Sequence, residues 1–334
     1  MKSSIKSLAV GLLALAHGLT LSPLALAQTP LKIVFGTPPT TYNLPHFVAH
    51  DTGMFERAGL KIEDVFVNGD SNAIRGLVSG GADAAGTNLL VAMQAITEGA
   101  KITIVGAWQP RVDYQVLVQD RIKSVKDLST ARIATASAGG ITQRIPEMLL
   151  GKSGFDTKGV SFTSLGGHEA RMKAVLADKV DASVVGMLYS ARALKEGRGV
   201  RVLSSIANDF PALGFTYLVV LDKDLADPAK RRAIEAYVRA GIIEGSRFIM
   251  AEPQKAAAIM QKRATETSVQ EIEAILREMN ELKLWGVNGG MESEIIDFSA
   301  NLASDMGVLK RKLAPGEGLD RSFAEKAVAQ LGKM

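Results

Sequence analysis

Ser137-Ala138-Gly139-Gly140-Ile141-Thr142 is the stretch whose residue types could do the most chemistry. It falls between a strand-like run, Arg132 to Ala136, and a helix-like run from about Ile141 to Gly151. Free backbone N–H groups and the dipole at a helix start favour an anion, and glycines let it approach closely. The same residues would also serve as a plain cap and tight turn. No Gly-Lys-Ser/Thr follows, so this is not a nucleoside-triphosphate loop. Three other polar loops carry candidates: Thr37, Tyr42 and Asn43 between Gly36 and Asn43, Asp70 and Ser71 after Asn68, and Thr87 and Asn88 after Gly86. They offer hydroxyls, amides and a carboxylate. Trp108 either stacks on a ligand or packs between elements. No nucleophile–base–acid set stands out, and His46, His50 and His168 lack metal-ligand spacing; His168, in a turn, is the best of the three as a binding group. The chemistry expected is non-covalent capture of a small molecule, with no cofactor and no metal.

Elements that position these loops alternate along the chain. Strand patterns at Leu31–Phe35, Lys61–Val67, Ala82–Ala85 and Ile102–Val105 are separated by short helical runs. That order implies a parallel sheet with ligands beyond the strands' carboxyl ends, where all three loops fall. Ala73 to Leu77 and Ala82-Asp83-Ala84 recur, shifted by about 98 residues, as Arg171 to Val175 and Val180-Asp181-Ala182. The spacing is far too long for a solenoid and suggests two similar α/β lobes with a cleft between them. Asp83 and Asp181 then brace turns. The expected organisation is residues 28–114 plus 218–334 for lobe one and 115–217 for lobe two. The extended segments 112–118 and 215–221 are read as crossovers and hinge, and the helical tail as completing lobe one.

Composition sets the outer limits. A chain of 334 residues exceeds what one core usually supports. Net charge is +4 and falls to +2 without Lys2 and Lys6, with no basic run, so nucleic acid is not an expected partner. The absence of cysteine excludes disulfides, thiolate metal sites and cysteine nucleophiles. Lys2 and Lys6, the apolar run Leu8 to Leu26 and the Ala25-Leu26-Ala27 site read as an export signal cleaved after Ala27. A membrane anchor is the other reading of that run, but His17, Ser22 and Pro23 interrupt it. The expected mature chain is soluble, exported and monomeric.

Segments 31–39, 47–70, 77–88, 118–140 and 175–194 together resemble the nitrate/sulfonate/taurine type of ABC-transporter periplasmic substrate-binding protein, whose fold the thiamine-pyrimidine group shares. Gly53-Met54-Phe55-Glu56-Arg57-Ala58-Gly59-Leu60-Lys61-Ile62 is the most specific match. The resemblance implies a two-lobed type II periplasmic binding protein fold, ligand contact by the Ser137–Thr142 loop, and delivery to an inner-membrane permease and its ATPase. Many relatives carry a tryptophan-acidic-proline segment where this chain reads Gly186-Met187-Leu188-Tyr189. Without that carboxylate taurine loses its ammonium partner, and Met187 and Tyr189 would make a softer wall. The expected ligand is a small organic anion, sulfonate-like or aromatic to heteroaromatic. The alternatives are an enzyme of the pyrimidine-synthase type, whose cysteine-rich iron motif this chain lacks, and a binding protein feeding a sensor.

Overall fold

The computed structural model describes residues 28–197 and 199–334. The export signal expected over residues 1–27 lies outside them. Ten strands form two five-stranded sheets with the orders β2-β1-β3-β10-β4 and β7-β6-β8-β5-β9. The first sheet comprises β1 (Thr29–Phe35), β2 (Leu60–Phe66), β3 (Ala84–Asn88), β4 (Ile102–Arg111) and β10 (Gly214–Leu221). The second comprises β5 (Tyr114–Gln119), β6 (Arg132–Thr135), β7 (Ser161–Ser164), β8 (Ala182–Gly186) and β9 (Val200–Ser205). In β1, consecutive Ile33, Val34 and Phe35 are all buried, the pattern of a strand covered by helices on both faces.

The sheets are mixed, which corrects the parallel-sheet expectation. β1 pairs parallel to β2 and β3, whereas β10 runs antiparallel to β3 and β4. β6 likewise pairs parallel to β7 and β8, and β5 runs antiparallel to β8 and β9. Each sheet thus accepts one reversed strand from the chain arriving out of the other. The segments read as linkers are therefore largely sheet members: residues 114–118 lie in β5 and residues 215–221 in β10. Their apolar, extended character comes from burial between neighbours. The chain leaves the first sheet at residues 112–113 and re-enters it at Gly214, earlier than residue 218. The passages at 112–113 and 210–213 are what remains for a hinge.

The 98-residue offset has a structural counterpart. The helix Asp70–Val78 leads to β3 and the helix His168–Leu176 to β8, each the third strand of its sheet's parallel run. Asp83 accepts the Lys32 backbone N–H at 2.9 Å, and Asp181 accepts that of Arg132 at 2.7 Å. Asp83 ties the turn before β3 to the middle of β1, and Asp181 ties the turn before β8 to the start of β6, so both brace turns as the sequence suggests.

The C-terminal helices do more than complete the first lobe. Pro253–Gln261 and Val269–Glu281 pack with the helix Leu44–Asp51 in a cluster that also takes Met187 and Leu188 from the second lobe. Lys195 on the helix Met187–Glu196 ion-pairs with Glu271. The tail therefore contacts both lobes. Among the described residues no helix is long and apolar enough to cross a membrane.

Candidate functional site

Three loops of the first sheet meet through Gly36. Its N–H donates to the Gly86 carbonyl at 3.3 Å, and its carbonyl accepts the Gly69 N–H at 2.7 Å. Gly69 has φ of +94°, a conformation that favours glycine. A Cβ on Gly36 would lie 2.8 Å from both Cα and Oδ1 of Asp70, so the close approach requires glycine as well. The result brings Asp70, Thr87 and Asn88 together at the strands' carboxyl ends.

A cavity of about 40 Å³ opens at this point, roughly three waters' worth of room. Of the expected residues, Thr37, Tyr42, Asn43, Asp70 and Asn88 line it. Backbone at Gly36 and Gly86 and the ring of Phe35 complete the first-lobe wall. Three residues that the sequence reading did not select, Tyr114, Phe215 and Thr216, come from β5 and β10, and Ile141 comes from the second lobe. Tyr42 and Tyr114 each meet Phe215 edge-on, with centroids 5.0 Å apart.

Asp70 is partly buried, and its Oδ1 accepts the Asn88 backbone N–H at 3.0 Å. Burial raises its pKa, against the pull of that bond. Asn43 Oδ1 accepts the Thr40 N–H at 2.8 Å, and Asn88 Oδ1 caps the next helix by accepting the Leu90 N–H at 2.9 Å. Both asparagines keep a buried Nδ2 without a partner, costly unless a ligand or solvent meets it. Asp113, in the first passage between sheets, is 1% exposed. Thr41 reaches its Oδ2 at 3.5 Å, and Oδ1 has no partner. Burial pushes its pKa up to about 6, opposed by donors including Gln109, the Met187 backbone and Thr41.

The other expected residues do not line the cavity. Trp108 is fully buried because β4 continues to Arg111 as a core strand. Its ring packs with Phe35 and Tyr237, behind Gly86. Met187 packs under the C-terminal helices with Leu44 and Phe47. Tyr189 stacks on His168 at 4.9 Å. His168 Nδ1 accepts the Gly186 N–H at 3.1 Å, and burial, helped by Arg171, holds its pKa down to about 3. Ser71 is exposed on the outer part of its helix, and Thr87 is buried beside Asp70.

In the Ser137–Thr142 loop the hydrogen bonds close on the loop itself. Gly139 N–H donates to Gln143 Oε1 at 2.9 Å, Gly140 N–H to the Ser137 carbonyl at 3.3 Å, and Ala136 N–H to Thr142 Oγ1 at 2.8 Å. Ser137 and Gly139 are exposed, and of this loop only Ile141 reaches the cavity. These bonds tighten the turn ahead of the helix Ile141–Lys152, whose N-cap, Gly140, makes no side-chain cap bond.

A larger groove of about 530 Å³ lies on the outer face of the first lobe, between Met54 and Phe323. Four of its rim charges pair, Lys326 with Glu235 and Arg239 with Glu244, while Arg57 and Arg232 also line it. No sheet loop reaches it, so the smaller cavity, where both lobes meet, is the candidate site. Among the described residues no group of three or more His, Cys, Asp or Glu is placed to hold a metal.

The family model described as NMT1/THI5 like matches residues 40–256. Among solved structures, a Bordetella bronchiseptica RB50 protein is 16% identical with a TM-score of 0.75, covering 92% of this chain and 99% of that one. The periplasmic aliphatic sulphonate binding protein of Escherichia coli is 18% identical, with TM-score 0.65 and coverage of 85% and 89%. The periplasmic nitrate-binding protein of Synechocystis PCC 6803 is 14% identical, with TM-score 0.72 and coverage of 91% and 89%. Likeness at these identities shows the fold alone. None of the curated proteins compared by sequence matches the chain.

Proposed function

The chain belongs to the NMT1/THI5-like family, within the nitrate/sulfonate/taurine group it resembles, and from that membership we propose that it is an exported solute-binding protein. It captures one small organic molecule between its lobes, changes no bond in it, and hands it to a permease and ATPase of an ABC importer. The observation that carries this reading is the cavity itself: loops from three first-sheet strands, rings from both reversed strands and Ile141 of the second lobe converge on one space. At about 40 Å³, that space must widen before a sulfonate-sized or larger molecule enters, so capture involves movement of the lobes. The likeness to a periplasmic sulphonate-binding protein and a periplasmic nitrate-binding protein supports the solute-binding role.

Of the ligand classes expected from sequence, the aromatic or heteroaromatic one is favoured by Phe35, Tyr42, Tyr114 and Phe215 in the wall. A sulfonate-like anion is disfavoured by the Asp70 carboxylate beside it. The lack of cysteine weighs against the iron-dependent synthase alternative. Native mass spectrometry of gently purified protein tests the reading. A stoichiometric adduct, released chemically unchanged after long incubation, is the expected result, and a reproducible product lost on mutating Asp70 contradicts it.

A further inference from the structure

Resting on that reading of the cleft, we propose that the ligand carries a positively charged nitrogen, seated against the Asp70 carboxylate and enclosed by the rings of Tyr42, Tyr114 and Phe215. The cavity wall holds one carboxylate and, among the described residues, no Lys, Arg or His. An ionised carboxylate offers about four acceptor positions. The Asn88 N–H occupies one of them.

A second carboxylate lies close behind. Asp113 is fully enclosed, and a Cβ on Gly186 of the second lobe would sit 3.4 Å from its Oδ2. Asp70 shares the cavity wall with Tyr42 and Tyr114, and Asp113 directly precedes Tyr114 in the chain and meets Thr41, the neighbour of Tyr42. The buried guanidinium in this neighbourhood, Arg171, bonds the Gly166 and Val184 carbonyls and pairs with neither aspartate. Two carboxylates with no ion-pair partner among the described residues make the space electronegative.

The rings act in the same direction. Aromatic faces attract cations and repel anions, and the Tyr42–Phe215 and Tyr114–Phe215 pairs stand edge-on around the cavity at 75° and 69°. The unpartnered Nδ2 groups of Asn43 and Asn88 serve a hydrogen-bond acceptor elsewhere on the same ligand. The class is therefore an organic cation bearing a neighbouring acceptor, distinct from the anions of the sulphonate-binding and nitrate-binding neighbours.

The test uses three probes of one shape and different charge: benzamidine, benzamide and benzoate, titrated by calorimetry at pH 8 into the full mature chain and its Asp70→Asn variant. Asparagine keeps an acceptor for the Asn88 N–H, so the variant is expected to fold, which its melting curve checks. The wild type should bind benzamidine about tenfold or more tighter than either other probe, as a charge-assisted hydrogen bond implies. Asp70→Asn should remove that preference. Tighter binding of benzoate, a preference for benzamidine that survives Asp70→Asn, or no binding by any probe overturns the cation assignment. None of these results would touch the solute-binding reading, which stands or falls on the molecule recovered from the protein itself.

Discussion

Asp70 Oδ1 accepts the backbone N–H of Asn88 at 3.0 Å, joining the start of one helix to the cap of the next at the first sheet's edge. Gly36 permits this bond because the room for its Cβ is already taken by Asp70. Gly36→Ala should therefore displace Asp70 and overpack the loop, costing about 1–3 kcal/mol of stability. Affinity for the recovered solute should fall as well. Denaturant unfolding and calorimetry on the same preparations check both parts.

Asp113 gives a pH signature. Its folded pKa of about 6 lies above the ordinary aspartate value, so the folded state holds the proton more tightly than the unfolded chain. Its contribution to stability is fully present below the unfolded pKa and is lost as pH rises through about 6. His168, held down to about 3, runs the other way: its contribution is present above its unfolded value and is lost as pH falls. Comparing wild type with Asp113→Asn removes the His168 effect. The variant's stability relative to wild type should be greater at pH 7.5 than at pH 4 by on the order of 2 kcal/mol. A difference independent of pH would show that Asp113 is not held in this way.

Trp108 should behave as a core residue. Trp108→Ala should destabilise by about 3–5 kcal/mol, since its ring is fully buried against Phe35 and Tyr237. Affinity per folded molecule should change far less than on replacing Tyr42 or Phe215. Thermal melts and calorimetry below the melting range separate the two effects.

The sequence made the first-lobe loops legible because glycine and polar residues there follow apolar strands at the edge where such sheets bind. Asp83 and Asp181 were legible from one repeated pattern, and each ties the turn it sits in to a neighbouring strand. Tyr114, Phe215 and Thr216 were not, because strands β5 and β10 have the composition of any buried extended segment. Only their antiparallel insertion into each sheet places those side chains at the cavity. Trp108 misled because Gln109-Pro110-Arg111 reads as a strand end, yet β4 continues through it. Asp113 stands two residues after Arg111 in a mixed polar segment that gives no sign of burial, which follows from the meeting of two lobes. Met187 follows a strand as a site residue would, but the C-terminal helices cover it.

Lys195 and Glu271 form an ion pair between the second lobe and the C-terminal helices. Lys195 is largely exposed and Glu271 about a third exposed, so Lys195→Ala should change stability by less than about 1 kcal/mol. It should still favour separated lobes, lowering solute affinity modestly, with the difference from wild type vanishing at high salt. An affinity loss that persists at molar salt would contradict the electrostatic account.

Movement of the lobes about residues 112–113 and 210–213 is the central claim, and solution scattering tests it most directly. The protein is stripped of its solute by reversible denaturation, refolded, and measured before and after the recovered solute is returned to saturation. The account predicts a smaller radius of gyration in the loaded protein. Identical profiles at proven saturation would contradict it.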